Sequence, residues 1–243
     1  MKYAFISDIH GNAVALEAVI QSIKEQNVDE VYVLGDICFR GPEPKRSLEL
    51  VHSIATEIIK GNADEWVVRG VAEGEVPSHV VDIMNNERDW TVSQLQNSDI
   101  KQLAALPLDV TISLLNHTQV HAFHATPSSL FDVVLPDTQQ IVLKEKMMVL
   151  NEASIYLYGH IHLPYIRYFE GKSIANLGSV GLPFDGLTKA SYLLLEENKQ
   201  DYRMSIERVS YDVDKVIEQC RKSDYPNKEV LFSVIKNGTS PFS

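Results

Sequence analysis

The chain reads as an α/β fold, and three observations predict it. Short apolar runs alternate with amphipathic stretches over the first sixty residues, each apolar run ends in polar groups beside glycine, and later apolar segments are joined by tight polar turns. A βαβαβ alternation implies a largely parallel sheet with right-handed crossovers. The later, turn-linked segments imply a second, antiparallel group of strands. At 243 residues the chain is long enough for one large domain with a substantial core. One domain over 1–243 is expected, with a helical insert at about 64–107 and a helical tail at about 212–243.

"KYAFISD" is short, apolar and partly β-branched, which predicts a buried strand. In "NAVALEAVIQSIKEQ", Leu16, Val19, Ile20 and Ile23 recur at helical spacing, so one face of a helix packs inward. "DEVYVLGD" predicts a second strand, "PKRSLELVHSIA" a helix with Pro44 near its start, and "TEIIKGN" a third strand. The polar insert is mostly helical, clearest in "DWTVSQLQNSDIKQLAAL". "LDVTISLLNHTQVHAFHATP" predicts a hairpin turning at Asn116 and His117, "QQIVLKEKMMVLNE" a helix, and "ASIYLYGHIH" a strand. "YIRYFEGKSIANLGS" turns at Glu170, Gly171 and Lys172, and "ASYLLLEE" and "YRMSIERVSY" flank the turn "NKQD", extending the antiparallel group. The tail predicts two short helices broken near Pro226.

Composition narrows the function classes. Lysine and arginine total 22 against 33 acids, a formal charge of −11 that argues against a broad basic surface for nucleic-acid duplexes. A small basic pocket for a phosphorylated ligand stays compatible with that charge. The longest stretch free of charged residues, "VTISLLNHTQVHAFHATPSSLF", is too polar for a membrane span. "MKYAFISDIH" meets an aspartate too early for a secretory core. Cys38 and Cys220 make no disulfide framework, so a reducing cytoplasm is the expected location. Oligomeric state is not legible.

Chemistry concentrates at the strand ends. "SDIHGN" offers Asp8 and His10, "LGDICFRG" offers Asp36, "KGNAD" offers Asn62, "VHAFHATP" offers His124, and "YGHIH" offers His160 and His162. Ligands of open α/β sheets gather outside the carboxyl ends of strands, so these groups point at one crevice. Imidazole and carboxylate together suit Mn, Fe, Zn or Ni rather than Ca. Each fragment alone is a weak signal; their joint order is a strong one.

In that order the fragments resemble the calcineurin-like metallophosphoesterases, whose signature runs D-x-H, G-D, G-N-H-[DE], H and G-H-x-H, with the closest likeness to the small bacterial and archaeal branch. "ANLGSVGLPFDGLTKASYLLLE" is similar to the family's N-P-G-S-x-G-x-P-R segment, and the resemblance runs from Met1 to about Glu196. It implies a four-layer αββα sandwich of two mixed sheets and a site for two divalent ions. By the same resemblance, Asp8, His10, Asp36 and His162 would hold one ion. Asp36, Asn62, His124 and His160 would hold the other, with Asp36 bridging. What the resemblance implies for chemistry is that two ions roughly 3.5–4 Å apart would acidify a water, and the resulting hydroxide would attack phosphorus in line.

One position departs from the family. Where Gly-Asn-His is usual, this chain has Ala63, and the missing histidine is a general acid of a kind worth about 10²–10⁴-fold in rate. Its absence favours good leaving groups. Asp64 or His121 are candidate substitutes, although regular alternation turns His121 away from His124. "GDICFRG" resembles the phosphatase pattern in which arginine grips phosphate, which makes Arg40 a catalytic candidate beside Asp36 and Asn62. Asn12 orients a ligand or caps the adjacent helix, with the cap favoured. Gly178, Ser179 and Gly181 are read as shaping a turn. Trp66 and Trp90 are read as packing, and His52, His79 and His117 as solvated or satisfied.

The expected function is hydrolysis of a small phosphorylated metabolite, nucleotides included: a phosphodiester or a dinucleoside polyphosphate. The alternative, suggested by Arg40, is a serine/threonine protein phosphatase. A metal-binding module without catalysis is a third reading, supported only by Ala63; seven buried polar ligands would be costly without an ion.

Overall fold

Alternating burial along the strands organises the molecule into layers. The computed structural model describes residues 1–150 and 152–240. The last three residues of the expected tail, and Asn151 of the expected helix over 139–152, lie outside that description. The opening segment follows the expected order β1 (Lys2–Ile6), α1 (Ala13–Glu25), β2 (Glu30–Val33), α2 (Pro44–Ile54) and β3 (Glu57–Ile58). β1, β2 and β3 pair in parallel. β3 is shorter than the sequence predicts, because Lys60 N–H leaves the ladder to donate to Pro107 O at 2.7 Å.

The insert holds α3 (Asn62–Arg69), α4 (Ser78–Ser93) and α5 (Asn97–Ala104). The stretch expected as the clearest helical segment therefore splits at residues 94–96. Asp99 accepts the Gln96 N–H at 2.8 Å and starts a fresh helix there.

β4 (Asp109–Ser113) and β5 (Gln119–Phe123) form the predicted hairpin, and α6 (Gln140–Met147) leads into β6 (Ala153–Tyr158). β7 (Tyr165–Phe169) and β8 (Lys172–Asn176) turn at Glu170 and Gly171, both with positive φ, as a two-residue hairpin favours. This second sheet runs β4-β5-β6-β8-β7, with β5, β6 and β8 parallel and the edge strands antiparallel.

β9 (Ala190–Glu197) and β10 (Tyr202–Val209) correct the sequence reading. They do not extend the second group of strands but complete the first sheet, in the order β10-β9-β1-β2-β3. β9 lies antiparallel to β1, pairing Lys2 with Glu196 and Phe5 with Leu193. The run "SYLLL" is buried on both faces, which an inner strand between β10 and β1 satisfies.

Tyr3, Phe5, Leu193 and Leu195 of the first sheet meet Val120, Ala122, Ile155 and Leu157 of the second, forming the central core. Ala4 and Ile6 face α1 and α2 instead, against Leu16, Val19, Leu48 and Val51. On the outer face of the second sheet, Tyr156 and Tyr158 pack on Leu143 and Met147 of α6. Two mixed sheets with helices outside give the expected four-layer sandwich. The tail helices, α7 (Val213–Lys222) and α8 (Lys228–Asn237), pack through Val216, Ile217 and Leu231 on Val14 and Leu182.

Asn12 is the cap of α1. Its Oδ1 accepts the Ala15 N–H at 3.0 Å while its Nδ2 donates to Gly181 O at 3.1 Å. Asn12→Ala removes the cap and strands a buried carbonyl, so stability should fall by about 1–3 kcal/mol. Thermal denaturation checks this; an unchanged melting temperature would contradict the capping role.

Candidate metal centre

The seven expected side chains come together at one place because the strands that precede them end together. Asp8 and His10 follow β1, Asp36 follows β2, and Asn62 opens α3 just beyond β3. His124 follows β5, while His160 and His162 follow β6 of the second sheet. Backbone contacts join the two sets: His160 N–H donates to Asp8 Oδ2 at 3.1 Å, and Val180 N–H to Ser7 O at 3.0 Å.

The local backbone is unusual. Asp8, His10, Asp36, Arg40, His160 and His162 all have φ between 50° and 70°. Asn, Asp and His enter this left-handed region more readily than other non-glycine residues, and Arg40 does so without that ease. Such concentration at one crevice marks a functional site. Each turn aims a side chain inward that a regular strand would aim across the sheet. Gly61 and Gly159 allow the close approach: a methyl group at either would collide with the carboxylate of Asp36 or Asp8.

The polar atoms of this centre do not satisfy one another. His10, His124 and His162 each present Nδ1 to a backbone carbonyl, of Phe39 at 2.9 Å, Leu34 at 2.7 Å and Leu182 at 2.6 Å. In a neutral ring this tautomer leaves Nε2 as a bare lone pair. His10 Nε2 lies 3.1 Å from His162 Nε2, lone pair toward lone pair when both rings are neutral, while a proton on His124 Nε2 reaches Asn62 Oδ1 at 2.9 Å. His160 Nδ1 lies 2.8 Å from the same amide oxygen. Asp8 Oδ1, 3.1 Å from His162 Nε2, is buried with no hydrogen-bond partner. Acceptors held this close repel unless positive charge lies among them, and carbonyl-anchored imidazoles with carboxylates are what divalent metals take. The residues fit such ions.

Two overlapping groups could hold them: Asp8, His10 and His162, and Asp8, Asp36 and His124. Asp36 Oδ2 lies 3.6 Å from His10 Nε2 and 3.5 Å from His124 Nε2, so it also stands between the two groups. Burial raises the Asp8 carboxyl, but His162 and His10 outweigh it and hold Asp8 well below the usual carboxylate range. Burial likewise opposes ionisation of Asp36, and His124 prevails to lower it. Burial, with His124 nearby, pushes His160 down to about 4, so that ring is neutral and able to coordinate. His124 resists burial through Asp36 and rises to about 9, a proton standing where a metal would compete.

The remaining candidates divide clearly. Arg40 borders the cavity above the centre, with its Nε 3.1 Å from Glu87 Oε2 of α4. Asp64 is no substitute acid, because it is fully buried and accepts N–H groups from Asp36, Ile37 and Gly61 at 2.8, 3.0 and 2.9 Å. Burial and nearby Asp36 push it up to about 6 despite those donors. His121 is excluded too: it pairs with Asp109 at 2.7 Å and stacks edge-on with Phe123 and Tyr156, on the face away from the centre.

Ser179 Oγ donates to Asp8 O at 2.7 Å and accepts from Leu182 N–H, and Gly181 N–H also reaches Asp8 O, so this turn braces the Asp8 loop. Trp66 is buried, donates to Glu75 at 2.9 Å, and also lines the cavity; Trp90 packs edge-on against Tyr225. His52, His79 and His117 are exposed. Sequence reasoning missed Asp64 as the anchor of the Asp36 loop and Glu87 as the partner of Arg40. Glu87 carries no local signal, and Asp64 shows locally only as the cap of Gly61, since Arg40, Asp36 and Ile37 all lie more than twenty positions from the carboxylates that hold them.

Similarity to known proteins agrees with this geometry. Residues 1–200 match the calcineurin-like phosphoesterase superfamily domain. The chain is 30% identical to the uncharacterized protein MJ0912 of Methanocaldococcus jannaschii over 92% of this chain and 93% of that one. It is 24% identical to phosphodiesterase YfcE of Escherichia coli, over 82% of this chain and 89% of that one. A crystal structure of a metallophosphoesterase from Sphaerobacter thermophilus superposes with TM-score 0.79 at 26% identity, covering 98% of this chain and all of that one. With 200 of its residues in one family domain and a four-layer fold to match, this chain belongs to the calcineurin-like phosphoesterase superfamily and is a hydrolase of phosphoester bonds.

Proposed function

We propose that the chain hydrolyses small phosphodiesters at a pair of divalent ions. The facing ring nitrogens of His10 and His162 beside the unpartnered Asp8 Oδ1 carry this reading, because a cation there removes a repulsion that the fold otherwise leaves standing. Asp8, His10, Asp36 and His162 would hold one ion, and Asp36, Asn62, His124 and His160 the other. The mixed imidazole and carboxylate donors favour Mn, Fe, Zn or Ni. When bound, the ions would supply Lewis-acid charge and an acidified water.

The side chains then have separate tasks. Asp36 stands between both groups while its Oδ1 accepts the Ala63 N–H at 2.7 Å, which prevents the carboxylate from rotating away. Arg40 engages Glu87 through Nε, and the terminal guanidinium nitrogens remain suited to a phosphate. Ala63 places a methyl group where the family usually has an acid, so substrates with stable leaving groups are favoured. The net charge of −11 supports a small substrate over a nucleic-acid duplex, and the two unpaired buried thiols support a cytoplasmic setting. No helix among the described residues is long and apolar enough to cross a membrane.

Chelation should abolish turnover of bis-p-nitrophenyl phosphate, and Mn²⁺ should restore it. Reloading at 100-fold over Kd should add about 2.7 kcal/mol of stability, which is read as a rise of about 5–10 °C in melting temperature. Asp36→Asn should lower kcat at least about 100-fold, and turnover equal to the parent's would sink the assignment. Arg40→Ala should lower kcat/KM about 10–100-fold, the worth of a hydrogen bond to a charged group, with metal content unchanged.

A further inference from the structure

We infer that the substrate's esterified group is apolar: an aryl alcohol rather than a second nucleotide. This rests on the phosphoester-hydrolase reading above and names the substrate class of the same site. A cavity of about 590 Å³ opens directly on His10, Asp36, Asn62, His160 and His162. Its size suits a small organic group. Apart from Arg40, Glu75 and Ser240, the rest of its wall is apolar and includes Trp66, Val80, Met84, Val133, Leu135 and Phe184.

The rim points the same way. Val133 is 62% exposed and Leu135 44% exposed, although both line the cavity, so bare apolar surface shares it with the histidine and carboxylate cluster. An apolar ester group would cover it. Charge argues against polyphosphates: among the described residues Arg40 is the single Lys or Arg lining the cavity, and the terminal nitrogens that Glu87 leaves it serve one phosphate. Glu75 adds a carboxylate to the wall. A dinucleoside polyphosphate would bring several further negative charges into this space with no cation left to meet them.

Calorimetry with Mn²⁺-loaded protein and a series of n-alkylphosphonates, methyl to octyl, tests the inference without requiring turnover. The P–C bond is not hydrolysed, so the readout is binding alone. Affinity should rise about fourfold for each methylene buried, reaching at least about 100-fold from methyl to octyl. Val133→Asp, on an exposed rim position, should weaken octylphosphonate at least about tenfold more than methylphosphonate, and Val80→Asp should do the same if it folds. Affinity that stays flat with chain length, or diadenosine tetraphosphate binding tighter than octylphosphonate, would overturn it. Loss of the phosphoester-hydrolase reading would appear separately, as absence of turnover by the same metal-loaded protein with aryl phosphodiesters.

Discussion

Crowded acceptors are the constraint from which the remaining architecture follows. Ring nitrogens, an amide oxygen and carboxylates face one another in a buried crevice at distances near 3 Å, with more acceptors than protons to share among them. No such cluster stands unless the backbone around it is held firmly, since each group would otherwise rotate toward water. The structure holds it with carbonyls that fix three imidazole rings and with Asp64, whose carboxylate ties the Asp36 loop to Gly61. Left-handed backbone at Asp8, His10, Asp36, His160 and His162, and at Arg40 beside them, costs about 1–2 kcal/mol each. The packed layers on both sides keep that cost from being relieved locally.

The two sheets contribute unequally to the centre. Three parallel strands of the first sheet deliver Asp8, His10, Asp36 and Asn62, while the second delivers the remaining three histidines from two neighbouring strands. Because the two sheets share a central apolar core, the distance between their strand ends is set by side chains such as Phe5, Leu34, Leu157 and Leu177. The metal centre is thus a seam between layers. Chemistry at the seam and packing of the core are one mechanical problem.

Segments without any motif shape what surrounds the chemistry. α4 supplies Val80 and Met84 to the cavity wall and Glu87 to Arg40. The tail places Tyr225 against Trp90 of the same helix, and burial beside Glu87 drives the Tyr225 phenol well above its usual range. The insert and the tail therefore meet beneath Arg40. The strand-end polar groups follow the family pattern, and these additions supply other parts of the pocket wall.

Much of this was legible in the chain read as a line of residues. Apolar runs ending in Asp, Asn or His beside glycine located the strands and the polar groups together, because both signals are local. The antiparallel seat of β9 beside β1 was not legible, since a hairpin signal names the neighbouring strand and says nothing of a partner nearly two hundred residues away. Asp64 and Glu87 were equally opaque: each carboxylate's task depends on which N–H or guanidinium folding brings to it. The sequence by itself determined which side chains could coordinate metals and that strand ends would present them. Tertiary structure alone decided which nitrogen of each histidine faces inward, which carboxylate stands between the groups, and what walls the pocket. Lone-pair direction depends on carbonyls and loops contributed by distant segments, and no local pattern encodes those.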